Sequence, residues 1–348
     1  MKMIKIGIAN GLVASIATMS ILACYGVRDF KEAVTSKVEQ AAKTDTSVVQ
    51  GKDGWLFSVP ELRHLSVGKF WGGAAPKVSK AKSADSADPL TAMLDFKDQL
   101  DQAGIQLLVV PVPAKAAIYP DMLVTGAANS ETARLDSADA EFISLLKQKG
   151  FDVLDLVPTF LQYRADHPNQ PLYSKEDSHW SGYGIDVASD LISAQIKKET
   201  WFGDVSQAKK NAKTDAVSVT GDLAGMLKNS KPGPEDTTLT SVSDPTGAPV
   251  HSWRKSPVVL IGDSNSLIYS IGGDMLASGS GLPENLALKL GFATDVVATK
   301  TSGATPSRQI LARRGDDMAG KKIVVWCFSV REFTEALQGW RNVPVINR

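Results

Sequence analysis

Val258-Val259-Leu260-Ile261-Gly262-Asp263-Ser264 is an apolar run entering a glycine turn that ends on a serine. A run apolar at every position suits a strand buried on both faces, because alternate side chains point to opposite sides of a sheet. Further strand candidates, rich in apolar residues, stand at residues 105–110, 151–156, 294–298 and 323–328. Helix-period segments lie between or beside them at 90–103, 131–149, 182–198, 283–290 and 306–314. Interleaved helices and doubly buried strands predict an α/β domain with a mainly parallel sheet and helices on both faces. In such sheets functional groups gather at the carboxyl ends of strands, where Ser264 falls.

Two polar stretches interrupt this pattern. Residues 66–88 read as a flexible loop, and residues 203–255, with Pro232, Pro234, Pro245 and Pro249, read as a long turn-rich insert or lid. No period of 20–50 residues repeats, which excludes solenoids and propellers. The reading is one large domain with insertions.

The 348 residues carry 38 Lys+Arg against 38 Asp+Glu, so no basic surplus argues for nucleic acid. Two cysteines exclude a disulfide scaffold, and Cys327, inside the last apolar run, reads as core. At the N-terminus Lys2 and Lys5 precede an uncharged stretch at residues 6–23, the form of a secretory signal or signal anchor. Ile21-Leu22-Ala23-Cys24 is also a loose lipobox, which makes Cys24 a lipidation candidate. Export with the N-terminus cytoplasmic is expected. The organisation expected is a signal or anchor at 1–24, a linker or stalk helix at 25–50 and the main domain at 51–340.

A strand-end serine can be a nucleophile with backbone N–H groups near its oxyanion, or it can be a helix N-cap. A nucleophile needs a base, and there are four histidines. His64 lies beside Trp55, Leu56 and Phe57, His167 lies in a turn composition, and His251 borders the polar insert. His179 stands in Glu176-Asp177-Ser178-His179-Trp180, a polar loop entering a helix. In an extended segment Asp177 and His179 project to one side, so the carboxylate can hold Nδ1–H and leave Nε2 to accept the Ser264 proton. The alternative is a surface turn capped by Asp177 or Ser181. Glu176, Asp177 and His179 also offer metal ligands, but no second histidine stands at ligand spacing. No glycine-rich phosphate loop is present.

With these landmarks in order the chain resembles the SGNH-hydrolase-like proteins of alginate O-acetylation. They are Gly51-Lys52-Asp53-Gly54-Trp55-Leu56-Phe57, Val110-Pro111-Val112-Pro113-Ala114-Lys115 with Tyr119-Pro120, and Asp177-Ser178-His179-Trp180. Gly221-Asp222-Leu223 with Met226-Leu227, Gly262-Asp263-Ser264 and Arg331-Glu332-Phe333 follow. The resemblance implies an SGNH-hydrolase-like (flavodoxin-like) fold in which Asp-x-His precedes the serine, a circular permutation of the usual order. It implies Ser264 as nucleophile, His179 as base and Asp177 as orienting acid, with no cofactor. It also implies acetyl transfer onto exopolysaccharide hydroxyls in the periplasm, tethered to the inner membrane. The donor is then delivered by a membrane-bound O-acyltransferase partner, alongside other polysaccharide assembly proteins. The chain resembles the shorter members that lack a C-terminal carbohydrate-binding module. Thr301-Ser302-Gly303 is the candidate for the rest of the oxyanion hole, with a plain βα turn as the alternative. Arg331 is a candidate contact for a uronate carboxylate, against an ordinary ion pair. Lys115 reads as a solvated loop charge and Trp55 as a core anchor. An acetylesterase with the same triad, a relay to another protein, or a non-catalytic polysaccharide-binding subunit are the rival functions.

Overall fold

The computed structural model describes residues 26–127, 134–228 and 232–346, so the segment read as a signal or anchor, and Cys24 within it, lie outside the described residues. Nine strands occur among the described residues: β1 (Val48–Gln50), β2 (Leu56–Ser58), β3 (Gln106–Val112), β4 (Asp152–Val153) and β5 (Asn211–Val219), then β6 (Glu235–Ser243), β7 (Val258–Gly262), β8 (Asp295–Ala298) and β9 (Ile323–Ser329). The five apolar runs become one sheet of order β4-β3-β9-β7-β8, parallel throughout.

Alternation within each run builds two cores. Leu108, Val110, Val258, Leu260, Ile323 and Val325 face one side, whereas Leu107, Val109, Val259, Ile261, Val324 and Trp326 face the other. The first side is covered by helices Gly182–Ile196, Leu282–Leu290 and Val157–Asp166, the second by Pro89–Gln102, Ser137–Gln148 and Thr305–Ala312. Cys327 is fully buried in the first core. Among the described residues no helix is long and apolar enough to cross a membrane.

Three expectations change. The segment read as a stalk is a helix, Val27–Lys43, whose Phe30 and Val34 enter the first core, so it packs onto the domain. Residues 66–88 fold into short helical turns, Gly72–Ala74, Ala75–Val78 and Ala84–Ser86. The polar insert contains an antiparallel ribbon in which β5 and β6 pair over nine residues. Nearly all of β5 is exposed, so composition hid it, while Thr237, Leu239 and Val242 of β6 pack inward.

Candidate active site

Ser264, His179 and Asp177 are all buried and form one hydrogen-bonded line. Ser264 Oγ lies 2.8 Å from His179 Nε2, and His179 Nδ1 lies 2.6 Å from Asp177 Oδ1. With Nδ1–H donated to the carboxylate, Nε2 is the acceptor for the serine proton. Burial opposes the charged imidazolium, but the Asp177 carboxylate outweighs it and the His179 pKa is raised above the ordinary imidazole range. Burial likewise opposes the Asp177 carboxylate, and His179 with the surrounding donors holds its pKa below the usual value.

The serine turn explains the Gly-Asp-Ser sequence residue by residue. A Cβ on Gly262 would lie 1.8 Å from the Cys327 carbonyl oxygen, so glycine is required by the approach of β9 to β7. Asp263 is the N-cap of the turn Ser264–Ser266, accepting the Asn265 N–H at 2.9 Å, and its other oxygen accepts the Ser329 N–H at 2.7 Å. The cap role thus falls to Asp263 and leaves the Ser264 hydroxyl to His179. As first residue of the turn, Ser264 carries an N–H without an acceptor inside it. Gly262→Ala is expected to cost ~1–3 kcal/mol of stability through overpacking, measured by urea unfolding, and to lower activity by displacing the turn.

The histidine comes from the loop before helix Gly182–Ile196, whose N-cap is Ser181 rather than Asp177. Trp180 pins the loop to the serine turn by donating Nε1–H to the Asn265 carbonyl at 3.1 Å. The insert supports the same loop. Glu235 of β6 accepts the N–H groups of Lys175 and Glu176, at 2.9 and 3.1 Å. The Asp222 N–H donates to Asp177 Oδ2 at 2.9 Å, and the Asp222 carboxylate accepts from Ser178 N–H and Oγ–H at 2.7 and 2.6 Å. Asp177, His179 and Asp222 bring ligand atoms within 4.8 Å of one another, a grouping that differs from the Glu176, Asp177 and His179 set weighed and set aside from sequence. The hydrogen bonds just given already engage each carboxylate oxygen of this group.

The remaining candidates fall around this line. Gly303 abuts the serine turn: a Cβ there would lie 2.6 Å from Phe328 Cβ and 3.0 Å from the Asp263 nitrogen. Its carbonyl accepts from Trp326 Nε1 at 2.7 Å and Ser307 Oγ at 2.6 Å. Arg331, half-buried beyond β9, is charged against burial by Glu332, Asp263, Glu61 and Asp222, and it weakens the charged form of His179. Lys115 is fully buried, which overturns its reading as a solvated charge. His64 is held in a separate buried network by Asp139 at 2.8 Å and Thr334 at 3.0 Å, while His167 and His251 are exposed. A cleft of about 620 Å³ opens beside the Asp177 loop, lined by Trp55, Tyr119, Arg164, Asn169 and Lys175; Ser264 does not line it.

Sequence reasoning passed over Asp222, Glu235 and Trp180 as working parts of the site. Asp222 and Trp180 stood inside quoted landmarks, but their partners lie 45 and 85 residues away in the chain, a separation no local pattern reveals.

The model of the family described as "SGNH hydrolase-like domain, acetyltransferase AlgX" matches residues 48–330. The chain belongs to this family. The AlgX-type family is an acetyltransferase family by description, and the enzyme class of the chain is O-acetyltransferase. A Pseudomonas aeruginosa relative named "Probable alginate O-acetylase AlgJ" is 24% identical over 294 residues, 82% of this chain and 70% of the relative. The solved O-acetyltransferase domain of Pseudomonas putida AlgJ superposes with a TM-score of 0.61 at 21% identity, covering 83% of this chain and 92% of that one. Pseudomonas aeruginosa AlgX superposes with a TM-score of 0.59 at 18% identity, covering 82% of this chain and 62% of that one. These likenesses establish the SGNH-like fold that the resemblance implied, and the parallel sheet read from the strand runs is its frame.

Proposed function

We propose that this AlgX-type protein moves acetyl groups onto hydroxyls of an alginate-like exopolysaccharide through an acetyl ester of Ser264. The observation that carries the reading is the Ser264–His179–Asp177 line, 2.8 and 2.6 Å between its polar atoms. Ser264 Oγ attacks the acetyl carbonyl while His179 Nε2 takes its proton, and Asp177 stabilises the resulting imidazolium. The Ser264 N–H, with the side-chain-free Gly303 packed behind the turn, faces the developing oxyanion. The donor's leaving group departs with the proton from His179. A sugar hydroxyl then gives its proton to His179, attacks the acetyl-serine carbonyl and frees Ser264 as its oxygen leaves and is reprotonated.

The polymer assignment is supported by relatives named for alginate O-acetylation and alginate biosynthesis. The cleft of about 620 Å³ has the size of a ligand pocket, and its Lys175 offers a positive charge, Arg164 being already paired with Asp121. Arg331 opposes the charged form of His179, a positive charge beside the base that suits an acidic acceptor. The reading places the domain in the periplasm, tethered by the N-terminal segment. Its donor comes from a membrane-bound O-acyltransferase, and other polysaccharide assembly proteins work beside it.

The test is intact mass of the full-length chain after exposure to an activated acetyl ester, followed by addition of mannuronate oligomers. The expected result is one acetyl gained at Ser264, then lost as acetylated oligomer appears. Acetate release at the same rate with and without oligomers would make the protein an esterase. A stable acetyl-serine never passed to oligomers would make it a relay. Absence of any acetyl-serine from folded protein would favour the binding subunit.

A further inference from the structure

Lys115 follows β3 at the carboxyl edge of the sheet and has no solvent exposure. A buried ammonium is tolerated only where its charge and its three N–H groups are met. Its Nζ donates to the main-chain carbonyls of Lys175 and Asp177, both at 2.9 Å. It also lies 5.3 Å from the Trp55 ring centre and 5.5 Å from that of Phe57, within cation–π range. Glu61, itself buried, is the strongest of the acids that favour its charge, ahead of Asp177, Glu235 and Asp222.

We propose that Lys115 is a positioning residue: caged by Trp55 and Phe57, its ammonium clamps the backbone of the Asp177 loop so that Asp177 meets His179 in the reactive orientation. The inference rests on the serine-ester reading above. Lys115 touches no reacting atom; it acts through the two carbonyls that bracket Glu176. The clamp accounts for two separate sequence landmarks, since Trp55-Leu56-Phe57 supplies the rings and Pro113-Ala114-Lys115 supplies the cation. Aromatic faces and backbone oxygens are what a buried cation needs where a direct carboxylate partner would compete with Asp177 for the same loop.

Burial lowers the Lys115 pKa to about 8, with Glu61 the first of the acids that hold it up. Above that pH the charge-assisted bonds become neutral ones, so kcat is expected to fall on an alkaline limb. The test uses the full-length chain, an activated acetyl ester and acceptor oligomers, across pH. Lys115→Met keeps the stem volume and removes the donors. It is expected to lower kcat on the order of 10²-fold, to change KM far less than kcat, because Lys115 itself does not line the cleft, and to lose the downfield proton of the His179–Asp177 bond. Glu61→Gln provides the second readout, moving the alkaline limb to lower pH. A Lys115→Met protein with parental kcat and the downfield proton retained would overturn the proposal, as would a Glu61→Gln profile whose alkaline limb stays in place. Ser264→Ala run in parallel separates the levels. Full activity there removes the serine-ester reading itself, whereas an inactive Ser264→Ala beside an unaffected Lys115→Met removes only the clamp.

Discussion

Ser264→Ala is expected to reduce kcat for acetyl transfer by roughly 10⁴–10⁶-fold, the range seen when a covalent nucleophile is removed from a working triad. The reason is structural as well as chemical. The Asp263 cap and the Gly262 approach hold the turn without the Ser264 hydroxyl, so alanine fits the same backbone and leaves His179 with no proton to accept. Stability should hardly change, because the deleted oxygen has one hydrogen-bond partner at 2.8 Å. Single-turnover mass spectrometry reads the loss directly as an absent acetyl adduct. Parental turnover by a folded Ser264→Ala protein would end the assignment.

The second large effect belongs to Asp177→Asn, with kcat expected to drop about 10⁴-fold, as an amide favours the wrong imidazole tautomer. Asp177 Oδ1 accepts from both His179 Nδ1 and the His179 N–H, and an amide presents only one acceptor oxygen in its place. The pH dependence separates tautomer from charge. His179 works as a base when neutral, so activity rises with pH as its imidazolium loses the proton. Asp177 raises that pKa, placing the acid limb above the ordinary imidazole range. Without the carboxylate the limb should move to lower pH while the plateau collapses. A pH–rate profile of kcat for both proteins is the measurement, and an unmoved limb would mean that another group titrates.

The sheet was legible because its inner strands β3, β7 and β9 announce themselves twice, once to each core. Val258 through Ile261 are all buried, and such a run reads the same from either face. Ser264 and the Asp177–His179 pair were legible for a related reason: chemistry concentrated in a short segment leaves a local mark. What escaped was held by distant partners. The β5–β6 ribbon carries polar residues on an exposed strand, so neither burial nor alternation marked it. Lys115 looked solvated because charge predicts exposure, and only the Trp55 and Phe57 rings arriving from β2 and its approach reverse that. The helix at Val27–Lys43 resembled a stalk for want of any signal that Phe30 and Val34 had a core to enter.

The position of β9 bears on when the enzyme comes into being. It is the last strand of the sheet in chain order and sits at its centre, pairing with β3 on one side and β7 on the other. A nascent chain that has not yet delivered residues 323–329 therefore owns two half-sheets, β4-β3 and β7-β8, each ending in an apolar strand with an open edge. The pairing that joins them spans more than two hundred residues from β3, a slow closure for any polypeptide. Until it happens Asp263 lacks the Ser329 amide that steadies the serine turn. Delivery of β9 thus supplies the last support of the serine turn, and a copy cut before residue 323 is expected to hold Ser264, His179 and Asp177 without it.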